Sequence, residues 1–139
     1  MNIPKFDAVN VGDSIPALVL PPVTRIALAL YCGASGDHNP LHVDIDFARK
    51  AGLPDVIAHG MLSMAYLGRA VTHWAPQRCL RQYGVRFAAM TLVGDVITCS
   101  GKVTEKMAAG GERRVRLALE ARNQRGEVTL LGDAVVALD

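Results

Sequence analysis

The sequence predicts an α+β fold: one domain over residues 1–139, in which an antiparallel sheet of about five strands curls around a long apolar helix. Helical patterns fill the first half of the chain, and long segments of alternating apolar and polar residues fill the second half. No linker, internal repeat or low-complexity tract separates the two halves. Half of the residues are hydrophobic and 20% are charged, as in a globular protein with a sizeable core.

Composition also argues against several classes of function. The net charge is only +2, and the few aromatic residues do not alternate with a basic patch, so we expect no nucleic-acid partner. Cys32, Cys79 and Cys99 are odd in number and widely spaced, which predicts neither a disulfide framework nor a cysteine zinc site. There is no signal-peptide pattern and no apolar stretch of membrane-spanning length, so we expect a reduced, cytoplasmic protein with no membrane partner.

Two short helices are predicted in the first half, after an opening segment that glycine and proline break into a short strand or loop. Thr24 is a candidate N-cap for a mostly apolar helix over residues 25–34. Asp44 is a candidate N-cap for a second helix over residues 45–51, which ends at Gly52. These helices bracket a turn rich in polar residues.

A third predicted helix covers residues 60–72 and is apolar on most of its circumference. We therefore expect other structure to wrap around it. Its polar residues recur at every third position and form one stripe, which we interpret as a solvated or interface-facing edge: Ser63, Tyr66, Arg69 and Thr72.

The second half of the chain predicts the strands of the sheet, over residues 83–87, 95–105, 112–123 and 127–138. The third of these shows the clearest alternation, with apolar residues at every second position and arginines or glutamate between most of them. Such alternation indicates an antiparallel sheet with one buried and one solvated face. Gly110-Gly111 and residues 124–126 are predicted hairpin turns.

The most chemically informative segment is Gly36-Asp37-His38-Asn39-Pro40-Leu41-His42. Pro40 keeps the chain irregular between Asp37 and His42, so both side chains can point the same way from a tight turn. Asn39 precedes the proline and is held extended, where its amide could brace the turn or orient Asp37. A carboxylate beside an imidazole that titrates near neutral pH is an acid/base pair that can hold a water molecule.

Two other interpretations of this turn remain open. Aspartate and asparagine in such turns often make only local hydrogen bonds, and His42 could be a structural histidine. His38 and His42 also form an HxxxH pair, which suggests a metal site when it lies on a helix. Pro40 prevents that helix and no further ligand set lies nearby, so we expect no metal.

A second motif, Ala58-His59-Gly60-Met61, opens the apolar helix. The first amides of a helix have no intrahelical acceptor and lie at the positive end of its dipole. Gly60 lets a ligand approach the backbone closely, so a carbonyl oxygen bound there would be stabilised as it became an enolate. The alternative is that Gly60 merely begins the helix and that His59 is the neighbour of its cap.

The two motifs together resemble those of the MaoC-like (R)-specific enoyl-CoA hydratases and 3-hydroxyacyl-thioester dehydratases, especially the mycobacterial type II fatty-acid dehydratase subunits. The resemblance covers nearly the whole chain, from Val11-Gly12-Asp13 through Val93-Gly94-Asp95 to the last strands. The Gly-Asp-x-Asn-Pro-x-His element is its specific part. One departure is that the family usually has a proline within the segment that here reads Met90-Thr91-Leu92-Val93, which leaves the shape of that loop open.

The resemblance implies a hot-dog fold and a homodimer or higher homo-oligomer with sheets joined edge to edge, or else a heterodimer. It implies that Asp37 and His42 are the catalytic pair, that the Gly60 amide is the oxyanion donor, and that Asn39 has a supporting role. We assign a supporting or substrate-binding role to His59 as well. The implied reaction is reversible hydration of trans-2-enoyl thioesters to (R)-3-hydroxyacyl thioesters. No metal or redox cofactor is expected, because the thioester itself acidifies the α-carbon. CoA or acyl carrier protein is part of the substrate.

Two alternative functions remain. A hot-dog acyl-CoA thioesterase would share the fold, but such enzymes generally carry a lone carboxylate on the central helix, and residues 60–72 contain neither Asp nor Glu. The second alternative is a non-catalytic or partner-dependent subunit of a heterodimeric dehydratase. The intact pair of Asp37 and His42 argues against a purely structural subunit.

Overall fold

In the computed structural model, which describes residues 2–139, five antiparallel strands form one sheet in the order β1-β3-β4-β5-β2. The strands are β1 (Ser14–Val19), β2 (Leu80–Phe87), β3 (Thr98–Ala109), β4 (Glu112–Arg122) and β5 (Val128–Leu138). The helices are α1 (Arg25–Ser35), α2 (Ile45–Lys50) and α3 (Gly60–Trp74). Short 3-10 turns cover Phe6–Ala8, Pro40–His42 and Gln77–Cys79. The predicted α+β class is confirmed.

Local capping sets the starts of the first two helices. The Thr24 side chain accepts the backbone N–H of Ala27 at 3.1 Å, which satisfies one free donor at the start of α1. Asp44 does the same for α2 through two backbone N–H groups. Gly36 ends α1 with φ of 74°, a left-handed conformation that glycine adopts at little cost. The predicted helix starts are confirmed, and the helix ends differ from the predictions by one or two residues.

The main core lies between α3 and one face of the sheet. Leu67, Ala70 and Val71 of α3 are buried there, and burial of a leucine side chain stabilises a fold by roughly 1.5–3 kcal/mol. The sheet supplies buried residues at alternate positions, as the sequence pattern predicts: Val115, Leu117, Leu119 and Ala121 in β4, and Leu130, Ala134 and Val136 in β5. Because α3 contacts all five strands, the prediction of a wrapped apolar helix is confirmed.

Two strand predictions need correction. The segment predicted as a strand over 95–105 is wrong at both ends, because β3 begins at Thr98 and continues to Ala109. Asp95 lies outside the strand, in a turn where its backbone N–H donates to the Leu92 carbonyl and its carboxylate accepts the Leu92 N–H. The same buried carboxylate binds Arg125, on the hairpin between β4 and β5. The second predicted strand is too short, because β2 begins at Leu80. The opening segment does form a strand, β1, with a register irregularity beside Pro16 that an edge strand tolerates.

A second, smaller core cluster fixes the polar turn against the start of α3. Its buried members come from α1, α2, α3 and the segments before α1 and α3: Val23, Leu28, Ala48, Val56, Ala58 and Leu62. The three cysteines are buried free thiols, in agreement with the prediction of no disulfide. Within residues 2–139, no helix is both long and apolar enough to cross a membrane.

Candidate active site

Local hydrogen bonds shape the turn that carries Asp37 and His42. Asp37 Oδ1 accepts the backbone N–H of Asn39 at 3.2 Å, and Asn39 Oδ1 accepts the backbone N–H of Leu41 at 3.0 Å. These are the local hydrogen bonds that a turn with a purely structural role would also make. They leave the other carboxylate oxygen of Asp37 on the side of His42, with 3.9 Å between Oδ2 and His42 Nε2. Asn39 thus braces the turn with its side chain and orients Asp37 with its own N–H.

The His42 ring has a defined tautomer in its neutral form. Its Nδ1 lies 2.7 Å from the carbonyl oxygen of Ile57, and since a carbonyl oxygen only accepts, Nδ1 carries the hydrogen. The Nε2 lone pair is then left on the side of Asp37. The 3.9 Å gap to the Asp37 carboxylate is too long for a direct hydrogen bond, but one water molecule about 2.8 Å from both atoms fits it. His42 is nearly buried, whereas Asp37 is half exposed.

His59 packs beneath this pair. Its ring stacks on the His42 ring with 3.7 Å between centroids, and Tyr31 meets it edge-on. Its Nε2 lies 3.2 Å from the backbone carbonyl oxygen of Asp37 and 3.4 Å from Cys32 Sγ. Burial lowers the pKa of His59 below 6.5, although the bond to the Asp37 carbonyl opposes this shift. His59 is therefore a neutral imidazole that touches both members of the pair.

The start of α3 completes the site. No side chain caps this helix, so its first backbone N–H groups have no acceptor within the helix. A Cβ atom on Gly60 would lie 2.9 Å from Cε1 of Phe87, well inside contact distance. A side chain at this position would require the half-exposed Phe87 ring to move, and glycine leaves the ring where it is.

A cavity of about 370 Å³ lies next to the start of α3. Its wall is mostly apolar, and its residues come from the polar turn, the segment before α3, α3, the end of β2, the following loop and β5: His42, Ile57, Ala58, Gly60, Ser63, Phe87, Ala88, Ala89, Met90, Thr91 and Leu130. Asp37, Asn39 and His59 are not part of the wall. Asp37 instead approaches His42 from the side of the polar turn.

Two polar residues of this wall were missed by the sequence analysis. Ser63 is 3% exposed, so the interpretation of its stripe as a solvated or interface edge is wrong at this position. Its hydroxyl donates to Thr91 Oγ1 at 3.4 Å, and Thr91 is 4% exposed. The signal for Ser63 was its place on α3 three residues after Gly60. Thr91 lies in the loop whose shape the sequence left open, and no motif marks it.

The residues that could ligate a cation are Asp37, His42 and His59, whose ligand atoms all lie within 4.8 Å of one another. His38 is not among them, so the HxxxH pair does not form this cluster. His42 Nδ1 and His59 Nε2 face carbonyl oxygens and carry hydrogens there, which makes those two nitrogens unavailable as ligands. His42 Nε2 and the Asp37 carboxylate face the gap between the two side chains. His59 Nδ1 is buried and makes no hydrogen bond with the described residues.

Comparisons with a family model, with curated proteins and with solved structures all find the same kind of protein. The family model of the MaoC like domain matches residues 9–124. Among curated proteins, the fatty acid synthase subunit beta of Saccharomyces cerevisiae is 32% identical over 131 residues, which are 92% of this chain and 6% of that protein. The 3-hydroxyacyl-thioester dehydratase X of Mycobacterium tuberculosis is 37% identical over 78 residues, which are 56% of this chain and 27% of that protein.

The chain thus spans only a small part of these curated relatives. Among solved structures, the unliganded R-hydratase PhaJ1 from Pseudomonas aeruginosa superposes with a TM-score of 0.87 at 30% identity, covering 99% of this chain and 87% of that one. The hot-dog fold and the resemblance seen in the two motifs are both confirmed. Since the family model matches most of its residues, this chain belongs to the MaoC-like dehydratase family.

Proposed function

We propose that this protein catalyses the reversible hydration of trans-2-enoyl thioesters to (R)-3-hydroxyacyl thioesters. The observation that carries the proposal is the 3.9 Å gap between His42 Nε2 and Asp37 Oδ2, at a largely apolar cavity that also reaches the start of α3. The membership of the family and the likeness to an R-hydratase support the reaction class and its stereochemistry.

In this mechanism His42 is the base in the hydration direction. Because Nδ1 donates to the Ile57 carbonyl, Nε2 is free to take a proton from the water held between it and Asp37. Asp37 accepts the second hydrogen of that water and orients its oxygen. The oxygen bonds to the β-carbon, and the electron pair of the double bond moves onto the α-carbon and the thioester carbonyl oxygen.

The Gly60 N–H stabilises the enolate that forms, because negative charge develops on the oxygen that it faces. The proton on His42 then passes to the α-carbon, which restores the neutral imidazole and completes the addition of one water molecule. Hydroxyl and proton arrive from the same pair of residues, so both add to one face of the substrate. His59 and Asn39 hold the two catalytic side chains in place.

The reaction as proposed needs no metal and no redox cofactor. Hydration involves no net oxidation, and the thioester carbonyl itself acidifies the α-carbon. CoA or acyl carrier protein enters as the carrier part of the substrate. We also propose that the chain self-associates through an outer strand of its sheet, β1 or β2, with a heterodimer as the alternative, and size-exclusion chromatography of the protein expressed alone distinguishes the two.

The decisive experiment adds the purified protein to crotonyl-CoA and follows the loss of the enoyl-thioester absorbance. Asp37→Asn keeps an oxygen for the Asn39 N–H but removes the charge, and His42→Ala removes the base. We expect each to lower kcat by about 100-fold or more. His38→Ala is the matched control, an exposed histidine of the same turn, and keeps full activity.

An inert wild type, or full activity in both variants, would refute the proposal. Release of free thiol without loss of the conjugated absorbance would instead identify a thioesterase. Against that alternative, α3 carries no acidic residue, and the carboxylate of the site lies on a turn.

A further inference from the structure

Two buried hydroxyl groups in the cavity wall have no role in the mechanism above. Ser63 projects from α3, and Thr91 lies on the loop after β2. Their oxygen atoms are 3.4 Å apart, and this is the one side-chain hydrogen bond that the structure gives for either residue. An otherwise apolar wall places this pair where a ligand in the cavity would meet it.

Each hydroxyl has one hydrogen to donate. A bond between the two uses one of these hydrogens, so whichever residue donates, the pair retains one hydrogen without a protein acceptor. A buried hydroxyl hydrogen that finds no acceptor is unfavourable, because it has lost its bond to water without gaining another. The pair is thus a hydrogen-bond donor directed at whatever polar atom occupies the cavity.

The position of the pair indicates which ligand atom it meets. Ser63 follows Gly60 by three residues on the same face of α3, and helical side chains lean back toward the helix N-terminus. The hydroxyl of Ser63 therefore leans toward the first turn, where the Gly60 N–H is free. The backbone carbonyl of Thr91 accepts the N–H of Ala58 at 2.9 Å, which holds Thr91 beside the same turn.

We propose that the Ser63–Thr91 pair supplies a second hydrogen-bond donor to the substrate's thioester carbonyl oxygen, beside the Gly60 N–H. This inference rests on the proposed function, because it assigns the oxygen of that substrate. No proton is transferred: the hydroxyl keeps its hydrogen, and the bond strengthens as negative charge grows on the oxygen. Two donors would share the enolate charge, as in other oxyanion sites.

Because either hydroxyl can supply the free hydrogen, single and double substitutions should differ strongly in their effect on kcat. Removing either hydroxyl alone leaves one hydroxyl with its hydrogen free, so Ser63→Ala and Thr91→Val each lower kcat for crotonyl-CoA hydration only a few-fold. The double variant S63A/T91V has no hydroxyl, and its kcat falls by about 100-fold. The decrease in kcat in the double variant exceeds the product of the decreases in the two single variants, because each hydroxyl can donate in place of the other.

Matched variants separate this effect from damage to the fold. S63A/T91S retains one hydroxyl and has kcat near that of Ser63→Ala. Thr129→Val removes another fully buried threonine hydroxyl, which donates to the Ala121 carbonyl away from the cavity wall, and leaves kcat unchanged. If S63A/T91V fails to fold, S63A/T91A provides a second hydroxyl-free variant, and thermal unfolding is recorded for all.

A binding measurement tests the identity of the ligand atom without requiring turnover. Butyryl-CoA carries the carbonyl oxygen, and its S-butyl thioether analogue lacks it. In S63A/T91V the Kd of butyryl-CoA rises by about tenfold relative to wild type, whereas the Kd of the thioether does not change. An unchanged ratio of the two Kd values overturns the inference.

The two proposals fail separately. If wild type hydrates crotonyl-CoA and S63A/T91V does so equally well, the second donor is refuted while the proposed function stands. If wild type is inert but the ratio of Kd values still changes, the hydratase function is refuted and the pair remains a carbonyl-binding site.

Discussion

Replacing Gly60 by alanine separates the chemical role of the α3 start from its structural role. A Cβ at this position would lie 2.9 Å from Cε1 and 3.2 Å from Cδ1 of Phe87, whereas carbon atoms in contact prefer roughly 3.5–4.0 Å. The ring must therefore move by about 0.5–1 Å. Phe87 is the last residue of the outer strand β2 and is 53% exposed, so it can turn toward solvent.

The stability change in Gly60→Ala is small because two effects oppose each other. Alanine in a helix is favoured over glycine by about 0.5–1 kcal/mol. Moving a half-exposed phenylalanine loses at most about half of the roughly 1.5–3 kcal/mol that full burial provides. The free energy of unfolding thus changes by less than about 1 kcal/mol, and Tm shifts by at most about 5 °C.

Activity responds differently, because the new methyl group projects beside the N–H that we propose as the donor to the substrate oxygen. Alanine keeps the backbone N–H, so the methyl group acts by keeping the substrate oxygen away from it. If the oxygen is fully excluded, kcat for crotonyl-CoA hydration falls by about 100- to 1,000-fold, as on the loss of one oxyanion donor. Gly68→Ala is the control, since it lies on the same helix with a Cβ position 3.3 Å from the Tyr83 ring, and it keeps wild-type kcat. Wild-type kcat in a folded Gly60→Ala protein would refute the reasoning that the substrate oxygen reaches this amide through the space beside the Gly60 Cα.

Two further predictions concern stability. Because burial lowers the pKa of His59 below 6.5, the unfolded chain binds this proton more readily, so stability is full above pH 6.5 and declines as pH falls below it. Thermal unfolding between pH 7.5 and pH 5.5 should show this decline in wild type and a smaller one in His59→Gln; equal declines would contradict it. Arg125→Met should lower the free energy of urea unfolding by about 1–3 kcal/mol, because it leaves the carboxylate of Asp95, 2% exposed, without its charged partner. Arg122→Met, which breaks an exposed pair with Glu120, is the control and should change the free energy of unfolding by less than about 1 kcal/mol. A similar loss of stability in the two variants would refute the role of burial.

The features that could be predicted from the sequence depend on residues close together in the chain. Thr24 and Asp44 cap helices through N–H groups two or three residues away, and the hairpin between β3 and β4 turns at adjacent glycines. The turn from Asp37 to His42 is also local, because its hydrogen bonds join residues two positions apart. The predicted residues Asp37, His42, His59 and Gly60 do lie together, although their roles stay predictions.

The features that could not be predicted depend on tertiary contacts between residues far apart in the sequence. The buried carboxylate of Asp95 pairs with an arginine 30 residues later, and no local pattern reports that pairing. His59 stacks on His42, and Ser63 meets Thr91 across 28 residues, only because α3 packs between the polar turn and the loop after β2.

The sequence by itself determined the helix starts, the alternating strands and the pair of Asp37 and His42, because caps and alternation act over a few residues. Tertiary structure alone decided the tautomer of His42, through the Ile57 carbonyl, and the burial of Ser63. A hydrogen bond or a buried face requires its partner in space, and only the packing of α3 against the sheet and loops brings these partners together.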